Sequence, residues 1–284
     1  MKISIFTTIT NPDYWQYAWK EAIACYETFA DEVIVVDGSK RFDGDETYSP
    51  QFELNEMALC GKVKVILYDW PYEWHWSELP KHIQKGFEQC TGDVAIKMDI
   101  DYLIHEQDFY GLKKELEAII GLNFKLGNLK KFTILNKKKG YEKANLPIIV
   151  NMKYKDEIAW GVNDERKTDW CFPITKDRQD EFGVWHGKQI NPIYQTGYDI
   201  YNYDYFFRTE EKAEEAFWRF SKAWNRGTGD WSWGNTKDEA LAVFKKQLYG
   251  RLKNQFLKDV NHPKFIRERI NNMKPEEQGF SNWL

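Results

Sequence analysis

The feature that most constrains the fold is a regular alternation of strand-like and helix-like segments over the first 110 residues. The strand-like segments are short, apolar and rich in β-branched residues, and they span 2–9, 32–39, 62–70 and 93–101. Segments with apolar residues at helical spacing occupy 13–29, 77–91 and 107–120. Such strand–helix repeats predict an α/β fold with a parallel sheet and right-handed crossovers.

A polar cluster follows each of the four predicted strands. The clusters lie at 7–11, 37–41, 69–76 and 99–101. Loops at the carboxyl ends of parallel strands gather at one edge of the sheet, and ligands bind there. We therefore expect the four clusters to form one ligand site.

Asp99 and Asp101 close the fourth predicted strand, on either side of Ile100. Side chains two residues apart on a strand face the same way. Two neighbouring carboxylates repel each other unless a cation neutralises them, and their oxygens suit Mg²⁺ or Mn²⁺. Such a cation stabilises a departing diphosphate. A bare D-x-D also occurs in solvated loops, but its position after the fourth strand favours a metal site.

Charge and cysteine content exclude several classes of protein. The net charge is −4, which argues against a general attraction to nucleic acid. The Lys-rich stretch 125–143 is the local exception, predicted to be a solvated loop or hairpin. The four cysteines form no CxxC pair, which favours free thiols in a reducing compartment. With no charged-then-apolar leader and no bilayer-length apolar run, we expect a cytoplasmic protein without a membrane span.

The pattern loosens after residue 130. Two further strands are predicted at 132–135 and 147–152, and the span 153–207 reads as short strands and loops. Three helices are predicted in the tail, at 210–224, 236–259 and 263–273. No internal repeat or low-complexity linker separates these parts, so a second independent domain is not expected.

The segment TGDVAIKMDIDYLIHEQDF (91–109) resembles the G-D-(apolar)-x-D-x-D stretch of nucleotide-sugar glycosyltransferases with the GT-A fold, particularly the family 2-like group. ISIFTTITN (3–11) and VIVVDGS (33–39) resemble that family's first two nucleotide-contacting loops. The likeness covers about residues 1–110 and extends weakly to 201–208 and 261–270. It implies a GT-A-type mixed, mainly parallel sheet flanked by helices, and a metal-dependent, inverting transfer from a nucleotide-diphosphate sugar, with a UDP-sugar favoured, to a glycan or other hydroxyl acceptor.

The resemblance also implies a division of the chain. Residues 1–207 would form the catalytic domain, in which 1–110 binds the nucleotide sugar and 111–207 forms the acceptor side. Residues 208–284 would form a helical C-terminal extension packed on the same domain.

On the nucleotide side, the resemblance assigns the loop after the first strand and the end of the second. Thr7, Thr8 and Thr10 would border the base. Asp37 would bond the pyrimidine edge or the ribose, with Ser39 beside it. A turn-forming role for Asp37 ahead of a glycine is the structural alternative.

At the metal, Asp101 would be a direct ligand, and Asp99 would contact the ribose, a metal-bound water or the metal itself. A later histidine often completes the metal shell in this fold. Residues 201–204 read Tyr-Asn-Tyr-Asp where a bacterial branch of the family has Tyr-His-Tyr-Gly, so that histidine is missing. His186 is the first substitute candidate, and Asn202 or Asp204 is the next.

Two further roles, phosphate binding and the catalytic base, have several candidate residues each. The family's Arg-Asn pair before the D-x-D is absent, which leaves Lys81, His82 or Lys85 to face the phosphates. An inverting transfer needs a carboxylate base at the acceptor hydroxyl. Asp164 is the first choice and Asp180 the second. The other candidates are Glu165, Asp169 and Glu181.

Other functions fit less well. Dehydrogenases and methyltransferases need a Gly-rich first turn, and this turn, TTITNP, has no glycine. A nucleotidyltransferase shares the two-aspartate logic but would show a Gly-rich basic phosphate loop. A carbohydrate-binding protein would explain the 17% aromatic content but not Asp99 and Asp101. The rings of DWPYEWHW (69–76) either stack on a sugar or a base or form a hydrophobic clasp for the next helix. The Lys-rich span 125–143 leaves a DNA acceptor open, against the net negative charge.

Overall fold

The computed structural model describes residues 1–39, 50–59, 61–71, 74–165, 171–204, 206–252 and 256–274. In the first hundred residues, strands and helices alternate along the chain. The strands are β1 (Ile3–Ile9), β2 (Glu32–Asp37), β3 (Val63–Leu67) and β4 (Val94–Lys97). The helices are α1 (Trp19–Phe29), α2 (Gln51–Leu59) and α3 (Glu78–Glu88). The sequence predicted all of these except α2, which has no amphipathic pattern.

The four strands pair in parallel in the order β3-β2-β1-β4. Ile5 of β1 lies between Val33 of β2 and Ile96 of β4, and all three are fully buried. Helices pack on the sheet, so these strands are apolar on both faces, as is typical of parallel sheets. Their carboxyl ends meet at one edge, as the sequence predicted.

Four further strands extend this sheet: β5 (Tyr102–Leu103), β6 (Leu126–Ile134), β7 (Lys139–Asn151) and β12 (Ile193–Asn202). The helix α4 (Phe109–Gly121) lies between β5 and β6 in the chain. The Lys-rich stretch forms the antiparallel hairpin β6–β7, and β7 pairs with β4. Across the described residues the order is β3-β2-β1-β4-β7-β6-β12-β5. This confirms the predicted α/β class, a mixed, mainly parallel sheet flanked by helices.

A second, smaller sheet lies within the span predicted as short strands and loops. It consists of β8 (Ile158–Asn163), β9 (Phe172–Thr175), β10 (Arg178–Gln179) and β11 (Trp185–Gly187), in the order β10-β11-β8-β9. The Gln84 side chain of α3 accepts a hydrogen bond of 2.8 Å from the backbone N–H of Trp160 in β8. At Gly161 a Cβ would come within 2.1 Å of the Trp185 carbonyl oxygen, so only glycine allows β8 and β11 to approach this closely.

The C-terminal part is helical, as predicted, with α5 (Glu210–Thr228), α6 (Lys237–Leu252) and α7 (Lys264–Asn272). The second helix is shorter than predicted, because β13 (Lys258–Asp259) pairs with β7. The Thr209 side chain caps α5, and Gly229 ends it with a left-handed φ of 73°. Arg269 of α7 donates 3.0 Å to the Tyr17 carbonyl, which ties the tail to the first half. Among the described helices, none combines the length and the apolar character needed to cross a bilayer.

Candidate functional site

A cavity of about 260 Å³ lies where β1 and β4 end. Its polar lining, which defines the carboxylate cavity, comprises Thr8, Thr10, His82, Asp99, Asp101, Lys131, Asp204, Arg208 and Arg219. Trp15, Trp70 and Trp74 contribute aromatic walls. The position at the carboxyl edge of the parallel strands is the one expected for a ligand site.

Asp99 and Asp101 sit on a tight turn, not on a continuing strand. β4 ends at Lys97, and the Tyr102 N–H donates 2.9 Å to the Asp99 carbonyl. The hydroxyl of buried Tyr26 lies 2.7 Å from the carbonyl oxygens of both Asp99 and Tyr102. These bonds fix the turn and therefore the direction of both carboxylates.

Three carboxylates gather in this cavity: Asp99, Asp101 and Asp204. Asp101 is only 6% exposed. Burial, together with the nearby carboxylates Asp204 and Asp99, raises the pKa of Asp101 to about 8. Burial also raises the pKa of Asp204, although Arg208 opposes the shift. The site thus holds like charges close together, which favours the binding of a cationic group.

Asp99 has a different environment, because Lys97 beside it donates a hydrogen bond to its carboxylate. Burial acts to raise the pKa of Asp99, but Lys97 and Lys131 outweigh it and hold the pKa below its ordinary value. Asp99 therefore stays ionised, and the nearby lysines offset part of its negative charge. Asp101 instead lies beside other carboxylates.

Arg208 and Asp204 reach the cavity from the segment after β12. The Arg208 Nε donates 2.9 Å to the Trp15 carbonyl, and its guanidinium lies 4.5 Å from the Tyr17 ring centroid. One guanidinium nitrogen is 3.6 Å from the Asp204 carboxylate. From the sequence, Asp204 was a metal-ligand candidate ranked after His186. No sequence motif pointed to Arg208.

Two more cations lie around the carboxylates. Lys131 of β6 donates 2.6 Å to the Tyr102 hydroxyl. Arg219 of α5 is stacked between aromatic rings, 4.6 Å from the Trp15 centroid and 5.4 Å from that of Trp74. The cavity therefore offers acidic and basic groups together, which suits a ligand that contains a cation and an anion.

Of the residues predicted to contact the nucleotide, some line the carboxylate cavity and the others are buried below it. Thr8 and Thr10 line the cavity, whereas Thr7, Asp37 and Ser39 are buried. The Asp37 carboxylate accepts 2.8 Å from the Ser39 N–H, which is the geometry of the turn-forming alternative.

The Ser39 hydroxyl in turn accepts 2.9 Å from the Asn11 N–H. The loops after β1 and β2 are thereby joined beneath the cavity.

Among the phosphate-facing candidates, the ammonium of Lys81 is paired with Glu78 at 2.5 Å, and Lys81 is outside the described cavity lining. His82 does line the cavity. Its Nε2 donates 2.9 Å to the Val36 carbonyl, and its ring stacks on Tyr68 at 4.6 Å. Burial lowers the pKa of His82 to about 3, so the imidazole is neutral.

Asp164, Asp180 and His186 come together elsewhere, in a second cavity of about 520 Å³. Its lining, which defines the Phe182 cavity, is His75, Ser77, Val162, Asp164, Arg178, Asp180, Phe182, Val184, His186, Arg226 and Gly227. The His186 ring nitrogens lie 3.3 Å from Asp164 and 3.0 Å from Asp180. Burial acts to raise the pKa of Asp180, but hydrogen bonds from His186 and two backbone amides lower it.

The two cavities lie on successive parts of α5. The carboxylate cavity reaches Arg219 and Phe220, and the Phe182 cavity reaches Arg226. At 1.5 Å per helical residue, Arg219 and Arg226 are roughly 10 Å apart along the axis. His186 therefore does not join Asp99 and Asp101 in one cavity. Asp169, another candidate base, lies outside the described residues.

No protein-family model matches the chain, and no curated protein matches it. Among solved structures, the chain is similar to S. aureus TarS 1-349, with 14% identity, a TM-score of 0.43, and coverage of 88% of this chain and 72% of that one. For the same protein in complex with UDP the values are 13%, 0.41, 89% and 74%. For its complex with UDP-GlcNAc they are 13%, 0.39, 100% and 80%. The functional argument therefore rests on the residues of the two cavities.

Proposed function

We propose that the protein is a glycosyltransferase that moves a sugar from a nucleotide-diphosphate sugar, with a UDP-sugar favoured, to a hydroxyl acceptor such as a glycan. The observation that carries the proposal is the convergence of Asp99, Asp101 and Asp204 with Lys131, Arg208 and Arg219 at the carboxyl edge of the parallel strands. A metal-bound diphosphate is a ligand that needs both carboxylate oxygens and cationic groups.

The donor set fits Mn²⁺ or Mg²⁺. Carboxylate oxygens are hard ligands, and Mg²⁺ in such enzymes is held by one or two carboxylates, with phosphates and waters completing the shell. In the described part of the chain, no three His, Cys, Asp or Glu side chains are arranged to hold an ion alone. We assign Asp101 as the main ligand and Asp99 as a second. When bound, the cation would stabilise the charge that develops on the diphosphate.

The chain's own residues would bind and orient the donor. Lys131 and Arg219 are positioned to pair with phosphate oxygens, because both border the cavity beside the carboxylates. Thr8 and Thr10 would border the nucleoside. The buried Asp37–Ser39 turn keeps their loop in place.

For the acceptor side, we keep Asp164, and then Asp180, as proposed bases. Both carboxylates line the Phe182 cavity. The acceptor would then enter from the Phe182 cavity, next to the donor along α5, and lose its hydroxyl proton to one of these carboxylates. A nucleotidyltransferase would also use the carboxylate cavity, and binding of UTP distinguishes it from a glycosyltransferase.

The test is donor binding. We expect a UDP-sugar with Mn²⁺ to raise the melting temperature by several degrees, by mass action on the folded state. UDP-glucose, UDP-N-acetylglucosamine, GDP-mannose and dTDP-glucose should be compared with and without Mn²⁺, with UTP as the reference for a nucleotidyltransferase. A shift with none of the four sugar nucleotides in the presence of Mn²⁺, or a shift with UTP alone, would overturn the proposal.

A further inference from the structure

The Phe182 cavity has the size of a ligand site. Its volume of about 520 Å³ lies within the range of 300–1,000 Å³ that small-molecule sites occupy. It is bounded by the small sheet on one side and by the end of α5 on the other, where Arg226 donates 3.2 Å to the Trp74 carbonyl. The proposed donor is assigned to the carboxylate cavity.

The charges of this cavity are balanced and paired. Arg178 donates two hydrogen bonds to Asp164, at 2.9 and 3.0 Å, and His186 lies between Asp164 and Asp180. The described lining includes two aspartates and two arginines. Because the Arg178–Asp164 pair is exposed and satisfied within the protein, it leaves little field to draw an ionic ligand. The cavity still offers both donors and acceptors, and a sugar hydroxyl uses both at once.

Phe182 supplies an apolar platform at the rim. Its side chain is 65% exposed, at the tip of the turn between β10 and β11. The turn is rigidly built, because the Asp180 carboxylate accepts from the N–H groups of Phe182 at 3.0 Å and Val184 at 2.8 Å. Gly183 has a φ of 78° in the same turn. The ring is thus held outward beside polar groups, where it can stack on the C–H face of a pyranose.

We propose that the Phe182 cavity binds a neutral saccharide chain. The binding follows from the charge balance and the exposed ring. Its identification as the segment of a glycan acceptor next to the reacting hydroxyl rests on the proposed function. An anionic polymer is disfavoured, because Arg178 and Arg226 are already engaged by protein oxygens.

Saturation-transfer-difference NMR on the full chain, without nucleotide, tests this proposal. The probes are maltohexaose, cellohexaose and N-acetylchitohexaose, with hexagalacturonate as the charged comparator. We expect at least one neutral probe to bind. Phe182→Ala should weaken that binding about tenfold, and Phe182→Tyr should keep it within about twofold, because the ring face remains. Tyr110→Ala, which removes a ring that is 76% exposed on α4, is the matched control and should bind as the parent does.

Three results would overturn the inference: no binding of any neutral probe, tighter binding of hexagalacturonate, or unchanged binding by Phe182→Ala. UDP-sugar binding with Mn²⁺ is measured on the same variants and should be equal in all of them. If the sugar nucleotides fail while a neutral probe binds at Phe182, the proposed glycosyltransferase fails and the saccharide site stands. If the sugar nucleotides bind and no probe does, the reverse holds.

Discussion

The two cavities differ in the surroundings of their carboxylates. In the carboxylate cavity, Asp101 is 6% exposed and lies beside Asp99 and Asp204, with Lys131 and Arg208 also near it. In the Phe182 cavity, Asp164 is 39% exposed and is held by an arginine in two parallel hydrogen bonds. Both cavities are lined by carboxylates, histidine and arginines, so composition alone does not separate them. The difference lies in buried Asp101, because Asp99 and Asp204 have side-chain exposures of 40% and 33%, close to the 39% and 32% of Asp164 and Asp180.

This difference indicates what each cavity can bind. Buried like charges cost folding free energy, and a chain keeps such an arrangement where a ligand of opposite charge compensates for it. Exposed ion pairs are nearly neutral in energy and leave the surface without a strong field. The carboxylate cavity is therefore suited to an ion and its diphosphate, and the Phe182 cavity to an uncharged polar ligand.

Asp101→Asn should produce the largest change. The variant removes the proposed metal ligand, and binding of a UDP-sugar with Mn²⁺ should weaken by more than about a hundredfold. The unliganded protein should melt at the same temperature or higher, since asparagine carries no charge to bury beside Asp99 and Asp204. Thermal melts with and without UDP-sugar and Mn²⁺ measure both effects.

Asp180→Asn is the matched control from the other cavity. Its amide oxygen can still accept the two backbone hydrogen bonds of the turn, so the fold should be kept. Donor binding should be unchanged in this variant. Equal loss in both variants, or none in Asp101→Asn, would mean that the two cavities are not distinct in function.

His82 of the carboxylate cavity gives a prediction through pH. His82 is buried against a carbonyl, and its folded-state pKa is lowered to about 3 from an ordinary 6.5. Below pH 6.5 the unfolded chain takes up a proton that folded His82 does not. Stability should therefore fall as the pH drops from 6.5 towards 3, by about 2 kcal/mol from this group at pH 5.

Urea unfolding of the parent and of His82→Gln at pH 7.5 and pH 5 isolates this contribution. Glutamine can still donate to the Val36 carbonyl but does not titrate, so the variant should lose about 2 kcal/mol less than the parent between the two pH values. All other groups titrate alike in both proteins. Parallel losses would show that the imidazole becomes charged without cost, and hence that its site is accessible to water.

The sequence predicts the carboxylate cavity better than the Phe182 cavity, for a physical reason. The strands of the parallel half are continuous apolar runs, and their polar ends identify the ligand edge without knowledge of the rest of the fold. Asp99 and Asp101 were found in this way. Strands β10 and β11 have only two and three residues, too few to show a period, so the cavity between them and α5 has no local signal.

Residues that reach a site by tertiary contact were also missed. Arg208 donates a hydrogen bond to the Trp15 carbonyl, which lies 193 residues earlier in the chain. Arg219 lines the carboxylate cavity from α5, a helix that the sequence predicted only as part of the tail. Their roles depend on where the segment after β12 and helix α5 dock, which no local pattern specifies. For the DWPYEWHW segment, packing is confirmed, because Trp70 and Trp74 are 2% and 6% exposed. Both rings also line the cavity, and their contact with a ligand stays a prediction.

The smallest expected effect concerns the ion pair of the Phe182 cavity. Arg178 is 58% exposed, and its pair with Asp164 is screened by water despite good geometry. Arg178→Met and Asp164→Asn, singly and together, should give a coupling free energy below about 0.5 kcal/mol in a double-mutant cycle of urea unfolding. A coupling above about 1 kcal/mol would identify the pair as a structural clamp. The polar groups would then be committed to holding the small sheet together, and the contrast with the carboxylate cavity would no longer indicate a binding surface.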